Sequence, residues 1–185
     1  IPLLDGYPHT FLENKSDDPG THHFRGIVTP NLVSAIEDWR PDAVLVFGWN
    51  YWSHLGALRH FHGRVPVLFR GDSTLLDETP GPRQWGRRLF LRWVYRHVDQ
   101  ALYVGQNNRA YFDAHGLSDD RLTWVPHAIE NARFADAPDA DKQAQRWREQ
   151  IGIPVDAPVV LFAGKLGKKK APDVLLDAFP QRETT

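Results

Sequence analysis

The sequence predicts an α/β fold in which crossover helices join the strands of a parallel sheet. Three observations lead there. Apolar runs of about five residues, each bounded by Gly, Pro or a charged residue, alternate with helical periodicities between Pro41 and Val125. The composition, 42% hydrophobic and 24% charged, is that of a chain that folds around a core. A length of 185 residues suffices for one domain or for parts of two.

The elements follow in order. Leu32, Ile36 and Trp39 share a helical face that ends at Pro41-Asp42, and Ala43 to Phe47 reads as a buried strand stopped by Gly48. A helix from Trp52 to about Phe61 leads through Gly63 to a strand over Val65–Phe69. A loop from Arg70 to Pro82 precedes a long helix, Arg83 to about Val98. Then come a strand over Gln100–Val104, a helix from Asn107 to about His115 and a strand over Arg121–Val125. Beyond Pro126 the text turns rich in Ala, Asp and Pro, as a connection between domains would be, with a charged helical stretch from Gln145 to Ile151. A fresh apolar run, Pro158–Ala163, predicts a further strand, and Pro172 stands in the favoured first-turn position of a helix carrying Val174, Leu175 and Ala178 on one face. One strand and one helix cannot bury a core of their own. With Ile1 at the start and no methionine anywhere, the expectation is a piece of a longer protein.

Charge and residue usage narrow the function. A formal net charge of −1 argues against a nucleic-acid binder, which needs an excess of Lys and Arg. No stretch approaches the ~18 apolar residues of a spanning helix. The absence of cysteine removes disulfides, thiolate metal sites and cysteine nucleophiles from these residues. Basic residues are concentrated in two places: Lys165, Lys168, Lys169 and Lys170, and the helix bearing Arg83, Arg87, Arg88, Arg92 and Arg96. That helix also carries Trp85, Leu89, Phe90, Trp93 and Tyr95. It suits either packing within the fold or, over Arg83–Val98, peripheral contact with an anionic membrane. His54, His60-x-His62 and His22-His23 are the metal candidates, but no His-Glu-x-x-His pattern appears, so no catalytic metal is expected. No Gly-x-Ser-x-Gly turn supports a hydrolase.

The segment Gly164-Lys165-Leu166-Gly167-Lys168-Lys169-Lys170-Ala171-Pro172 joins the expected strand to the expected helix. Cationic side chains there suit a diphosphate, although the segment is not a Walker A loop. Here the sequence resembles the retaining nucleotide-sugar glycosyltransferases of family 4 (group 1), which have the two-domain GT-B fold. Phe162-Ala163-Gly164-Lys165-Leu166 with Lys170–Phe179 is similar to the start of that family's donor-binding domain. Val125-Pro126-His127-Ala128-Ile129-Glu130-Asn131-Ala132-Arg133-Phe134 resembles the segment leaving its acceptor domain. Arg92–Asp99, Val104–Asn107 and Tyr111-Phe112 resemble the text before it.

The resemblance implies a GT-B fold of Rossmann-like parallel sheets with both domains incomplete. Residues 1–126 would be a partial acceptor-binding domain, 127–157 the inter-domain connection and 158–185 the start of the donor-binding domain. It implies sugar transfer, with retention, from a nucleotide sugar to a saccharide or lipid-linked acceptor in surface polysaccharide or glycolipid synthesis. It implies also a cytoplasmic bacterial protein, peripheral on the inner face of the membrane, without cofactor or metal. Lys165, Lys170 and Gly164 match the family's donor-diphosphate positions, Lys165 standing where Arg is usual. The family's paired glutamates are expected beyond Thr185, so the fragment alone is expected to be inactive. Arg70 and Asp72 stand where members commonly have a His and are the catalytic candidates. Trp49, Asn50 and Tyr51, after a strand end, are the candidates for acceptor or sugar contact. Arg70-Gly71-Asp72-Ser73-Thr74 also reads as an ordinary turn. A GT-B nucleotide-sugar epimerase and a non-catalytic anion- or partner-binding module are the alternatives.

Overall fold

The computed structural model describes residues 4–76, 78, 81–135, 139–167 and 170–178. The chain divides into two compact units, Ile1–Ala128 and Ile129–Thr185.

The first unit contains α1 (Leu32–Asp38), β1 (Val44–Phe47), α2 (Trp52–Phe61), β2 (Val67–Arg70), α3 (Pro82–Tyr95), β3 (Gln100–Tyr103), α4 (Gln106–Ala114), a 3-10 turn (Asp119–Arg121) and β4 (Leu122–Trp124). The four strands form one parallel sheet in the order β1-β2-β3-β4, with Val46 opposite Phe69, Phe69 opposite Ala101 and Ala101 opposite Leu122. Because the order is sequential and parallel crossovers are right-handed, α2, α3 and α4 fall on one side of the sheet. The core confirms it: Val44, Val46, Val67, Phe69 and Ala101 pack with Ala57, Leu58 and Phe61 of α2, Leu91, Val94 and Tyr95 of α3, and Tyr111 and Phe112 of α4. Each such large side chain contributes about 1.5–3 kcal/mol on burial. Phe69, Tyr95 and Phe112 meet edge to face, with ring centroids 5.5–6.0 Å apart. The alternate residues Leu45 and Phe47 point to the opposite face and stay exposed.

Strand β2 starts and ends two and one residues later than the apolar run predicts. Pro66 has no N–H to give the ladder, so it stands before the strand and supplies only its carbonyl, to Val44 N–H at 2.9 Å. Arg70 therefore belongs to β2, opposite Phe47 and Leu102, rather than to the following loop. Helix α3 ends at Tyr95, earlier than expected. The backbone beyond it turns so that Asp99 N–H reaches Val67 O at 2.9 Å, while the Asp99 carboxylate accepts Val67 N–H at 2.7 Å. The guanidinium of Arg121 donates to the carbonyls of Tyr95 and Val98, satisfying acceptors that a helix end leaves free. Before α1, the Asn14 side chain fastens a loop by accepting from Ser16 and Val28 N–H and donating to Gly26 O.

The second unit contains α5 (Asn131–Phe134), α6 (Ala140–Ile151) and α7 (Pro172–Asp177). Helix α6 ends on Gly152 in the left-handed conformation (φ 71°), which lets Ile153 N–H return to Arg148 O at 2.9 Å. The Arg148 guanidinium holds the carbonyls of Pro154 and Ala157. The strand expected over Pro158–Ala163 does not form. No described strand of this unit offers it a ladder, and Val159, Val160 and Leu161 are exposed.

Candidate functional site

The carboxyl ends of β1 and β2 open into a crevice of about 310 Å³ lined by Gly48, Trp49, Asn50, Phe69, Gly71, Asp72, Ser73, Arg87, Tyr95 and Phe112. This is where an open parallel sheet places a ligand. Gly48 makes the exit from β1 possible: its φ is +74°, its N–H donates to Arg70 O at 2.9 Å, and a Cβ would lie 2.9 Å from Asn50 Oδ1. Trp49 stands edge-on to Phe90 at 5.4 Å, which gives the crevice an aromatic wall. Asp72 lines the same crevice from the loop after β2. Three of the expected residues, Trp49, Asn50 and Asp72, thus meet at one place.

Two others do not join them. The Arg70 guanidinium is engaged with the carbonyls of Val125 (3.0 Å) and Pro126 (3.2 Å), where it ties β2 to the exit of β4. Tyr51 donates its hydroxyl to Thr21 O at 3.4 Å and packs edge-on to His54, away from the crevice lining. Among the histidines, His54 bonds to Phe47 O and His60 to Glu37, so these rings do not converge on a metal.

The crevice also holds residues whose role the sequence text did not suggest. Arg87, read there only as part of a basic helix, donates to the Tyr111 hydroxyl at 3.3 Å and lines the crevice from α3. Burial pushes the Tyr95 phenol well above its ordinary 10.0, and the adjoining Tyr111 adds to the rise, so Tyr95 stays neutral beside the crevice. Asn108, almost wholly buried at the start of α4, donates to Ser73 O at 2.8 Å and accepts Val104 N–H at 3.0 Å. It thereby fixes the loop carrying Asp72. Glu78 anchors the far part of that loop, accepting from Gln84 at 2.8 Å and lying 3.8 Å from Arg88 and 3.7 Å from the buried His115. Nothing in the sequence reading marked Asn108; its positioning role is visible only from its burial and its two hydrogen bonds.

In the second unit, Gly164 and Lys165 precede a turn in which Lys170 N–H donates to Gly167 O at 2.9 Å. The side chains of Lys165 and Lys170 are in solvent; Lys168 and Lys169 lie outside the described residues. Ala171 takes a left-handed conformation (φ 45°) directly before α7.

A parallel sheet with crossover helices on one face and a polar crevice at its strand ends is the architecture of a GT-B, Rossmann-like glycosyltransferase domain. A model of the Glycosyl transferase 4-like domain matches residues 16–128, which include the whole crevice, and the chain belongs to that family, the group 1 glycosyltransferases of family 4. Among curated relatives, the D-inositol 3-phosphate glycosyltransferase of Kineococcus radiotolerans is 33% identical over 113 residues, 60% of this chain and 25% of the relative. That of Corynebacterium aurimucosum is 31% identical over 104 residues, 56% of this chain and 24% of the relative. That of Streptomyces bingchenggensis is 27% identical over 159 residues, 81% and 34% respectively. The chain therefore spans about a quarter to a third of the length of these relatives.

Proposed function

We propose that the protein to which this chain belongs moves a sugar, with retention, from a nucleoside diphosphate sugar to an acceptor hydroxyl, and that the crevice at the ends of β1 and β2 receives the acceptor. The observation that carries this reading is the convergence of Trp49, Asn50, Asp72 and Arg87 on one cavity at the strand ends of a family 4 domain. A carboxylate and an amide can orient hydroxyls, an aromatic wall suits the apolar face of a ring, and a guanidinium suits an anionic substituent. The acceptor class is a saccharide or lipid-linked saccharide. The relatives' printed activity adds a phosphorylated cyclitol, for which Arg87 supplies the charge complement. Asp72 is the catalytic candidate; Arg70, already engaged with two carbonyls, is read as structural. Surface polysaccharide or glycolipid synthesis on the cytoplasmic side of a membrane is the setting this chemistry fits.

Lys165 and Lys170, with the Gly164 backbone, are assigned to the donor diphosphate. Their ammonium groups would balance the charge that grows on the leaving diphosphate without a metal. Titrating UDP and GDP into the purified chain tests this: binding should weaken about tenfold or more in Lys165→Ala with Lys170→Ala, in line with the loss of charge-assisted contacts worth ~1.5–3 kcal/mol each. Equal binding by the variant removes the diphosphate assignment.

A further inference from the structure

The adjacent histidines His22 and His23 play no part in the crevice at the strand ends. Asp18, His22 and His23 each bring one ligand atom to a cluster in which all three atoms lie within 4.8 Å of one another, and no other such group of three occurs among the described residues. The His22 Nε2 to Asp18 Oδ2 distance is 3.4 Å and the His23 Nε2 to Asp18 Oδ2 distance is 3.2 Å. Ligand atoms about 2.0–2.1 Å from a tetrahedral zinc ion stand about 3.3–3.4 Å from each other, so these two edges already have the length of a filled site. From this geometry we propose that Asp18, His22 and His23 form a binding site for a divalent transition metal of the zinc class, apart from the transfer chemistry.

Several features of the surroundings favour the site. The loop that carries it is held by its own hydrogen bonds: Ser16 Oγ donates to Arg25 O at 2.6 Å, Asp18 N–H to Ser16 Oγ at 3.2 Å, Gly20 N–H to Gly26 O at 3.1 Å and Gly26 N–H to His23 O at 3.1 Å. The loop is in turn docked on α2, where Trp52 N–H donates to Phe24 O and Ser53 N–H to Ile27 O. The backbone that carries the ligands therefore loses little freedom on binding. Asp18 and His22 are also accessible, their side chains being 73% and 66% exposed, with the His22 ring edge-on to that of His23 at 4.7 Å. Asp18 and His23 line a crevice of about 450 Å³, shared with Lys15 and Arg25, which leaves room for water at the fourth position. Two imidazoles and one carboxylate form a donor set that suits zinc over magnesium, which takes oxygen ligands in octahedral array. In the metal-free chain the His23 ring N–H donates to Asp18 O at 2.9 Å. Binding moves that proton to Nδ1 and replaces the hydrogen bond by the metal.

Zinc titration followed by calorimetry, with cobalt absorption as a reporter of four-coordinate geometry, tests the proposal on the purified chain. One equivalent should bind and raise Tm, because a ligand that binds only the folded state stabilises it. Asp18→Asn and His22→Asn, both exposed and harmless to the core, should each weaken binding more than about tenfold. The control pair His60→Gln with His62→Gln should leave it unchanged. Absence of a one-to-one complex, or affinity unaltered by Asp18→Asn together with His22→Asn, overturns the proposal. So does loss of binding in the control pair.

Discussion

His115 shows how one buried side chain makes stability depend on pH. Its ring is fully enclosed, Nδ1 lies 2.7 Å from Tyr111 O, and Nε2 faces Glu78 Oε1 without a hydrogen bond. Burial holds its pKa below the ordinary 6.5, opposed by the Tyr111 carbonyl and the Glu78 charge and reinforced by Arg88 and Arg87. The unfolded chain therefore binds a proton more readily than the folded one, so this residue's share of stability is present above about pH 6.5 and lost as pH falls below it. Urea midpoints measured between pH 7.5 and 5 should decline in the wild type and decline less in His115→Gln. Equal slopes would mean that the ring carries no such linkage. Asn108 and Arg70 act on the same scale, each through two hydrogen bonds. Arg70 is the instructive case, because residue type alone left it a catalytic candidate and only its partners, Val125 O and Pro126 O, show what its charge is spent on.

Helix α3 serves two surfaces. Its last turns enter the core through Leu91, Val94 and Tyr95, and Arg87 and Arg88 turn toward Tyr111 and Glu78. Trp85, Leu89, Arg92 and Arg96 stand at spacings of four, three and four residues, which places them on one stripe, and all four are exposed. An exposed stripe of two large apolar and two cationic side chains matches an anionic bilayer surface. Sedimentation with phosphatidylserine vesicles should retain the chain, and Trp85→Ser with Leu89→Ser should release it; undiminished retention would exclude this helix as the contact. Elements were largely legible in the text, since periodicities of two and 3.6 reflect local backbone geometry. The Pro158–Ala163 run shows the limit of that legibility. Its residues are those of a buried strand, but a strand is completed by a ladder partner, and no described strand of its unit pairs with it.

At the level of the molecule, the matched relatives are three to four times longer than the aligned part of this chain. Transfer in the proposed reaction needs a complete donor site as well as the crevice. The purified chain, supplied with UDP- or GDP-sugars and D-inositol 3-phosphate or a saccharide, is therefore expected to release no nucleoside diphosphate above background. Measurable turnover would refute that expectation. The order of motifs along the chain, from the apolar runs to Val125-Pro126-His127, was by itself enough to determine a parallel α/β sheet and its family. Tertiary structure decided which residues meet. Trp49 and Asn50 after β1, Asp72 after β2, Arg87 and Tyr95 on α3 and Phe112 on α4 come together only because strand register and crossover handedness bring distant ends of the chain to one edge of the sheet. Hydrophobic pattern specifies the face a residue takes within its own element. Its neighbour across elements depends on packing that no local window of sequence contains.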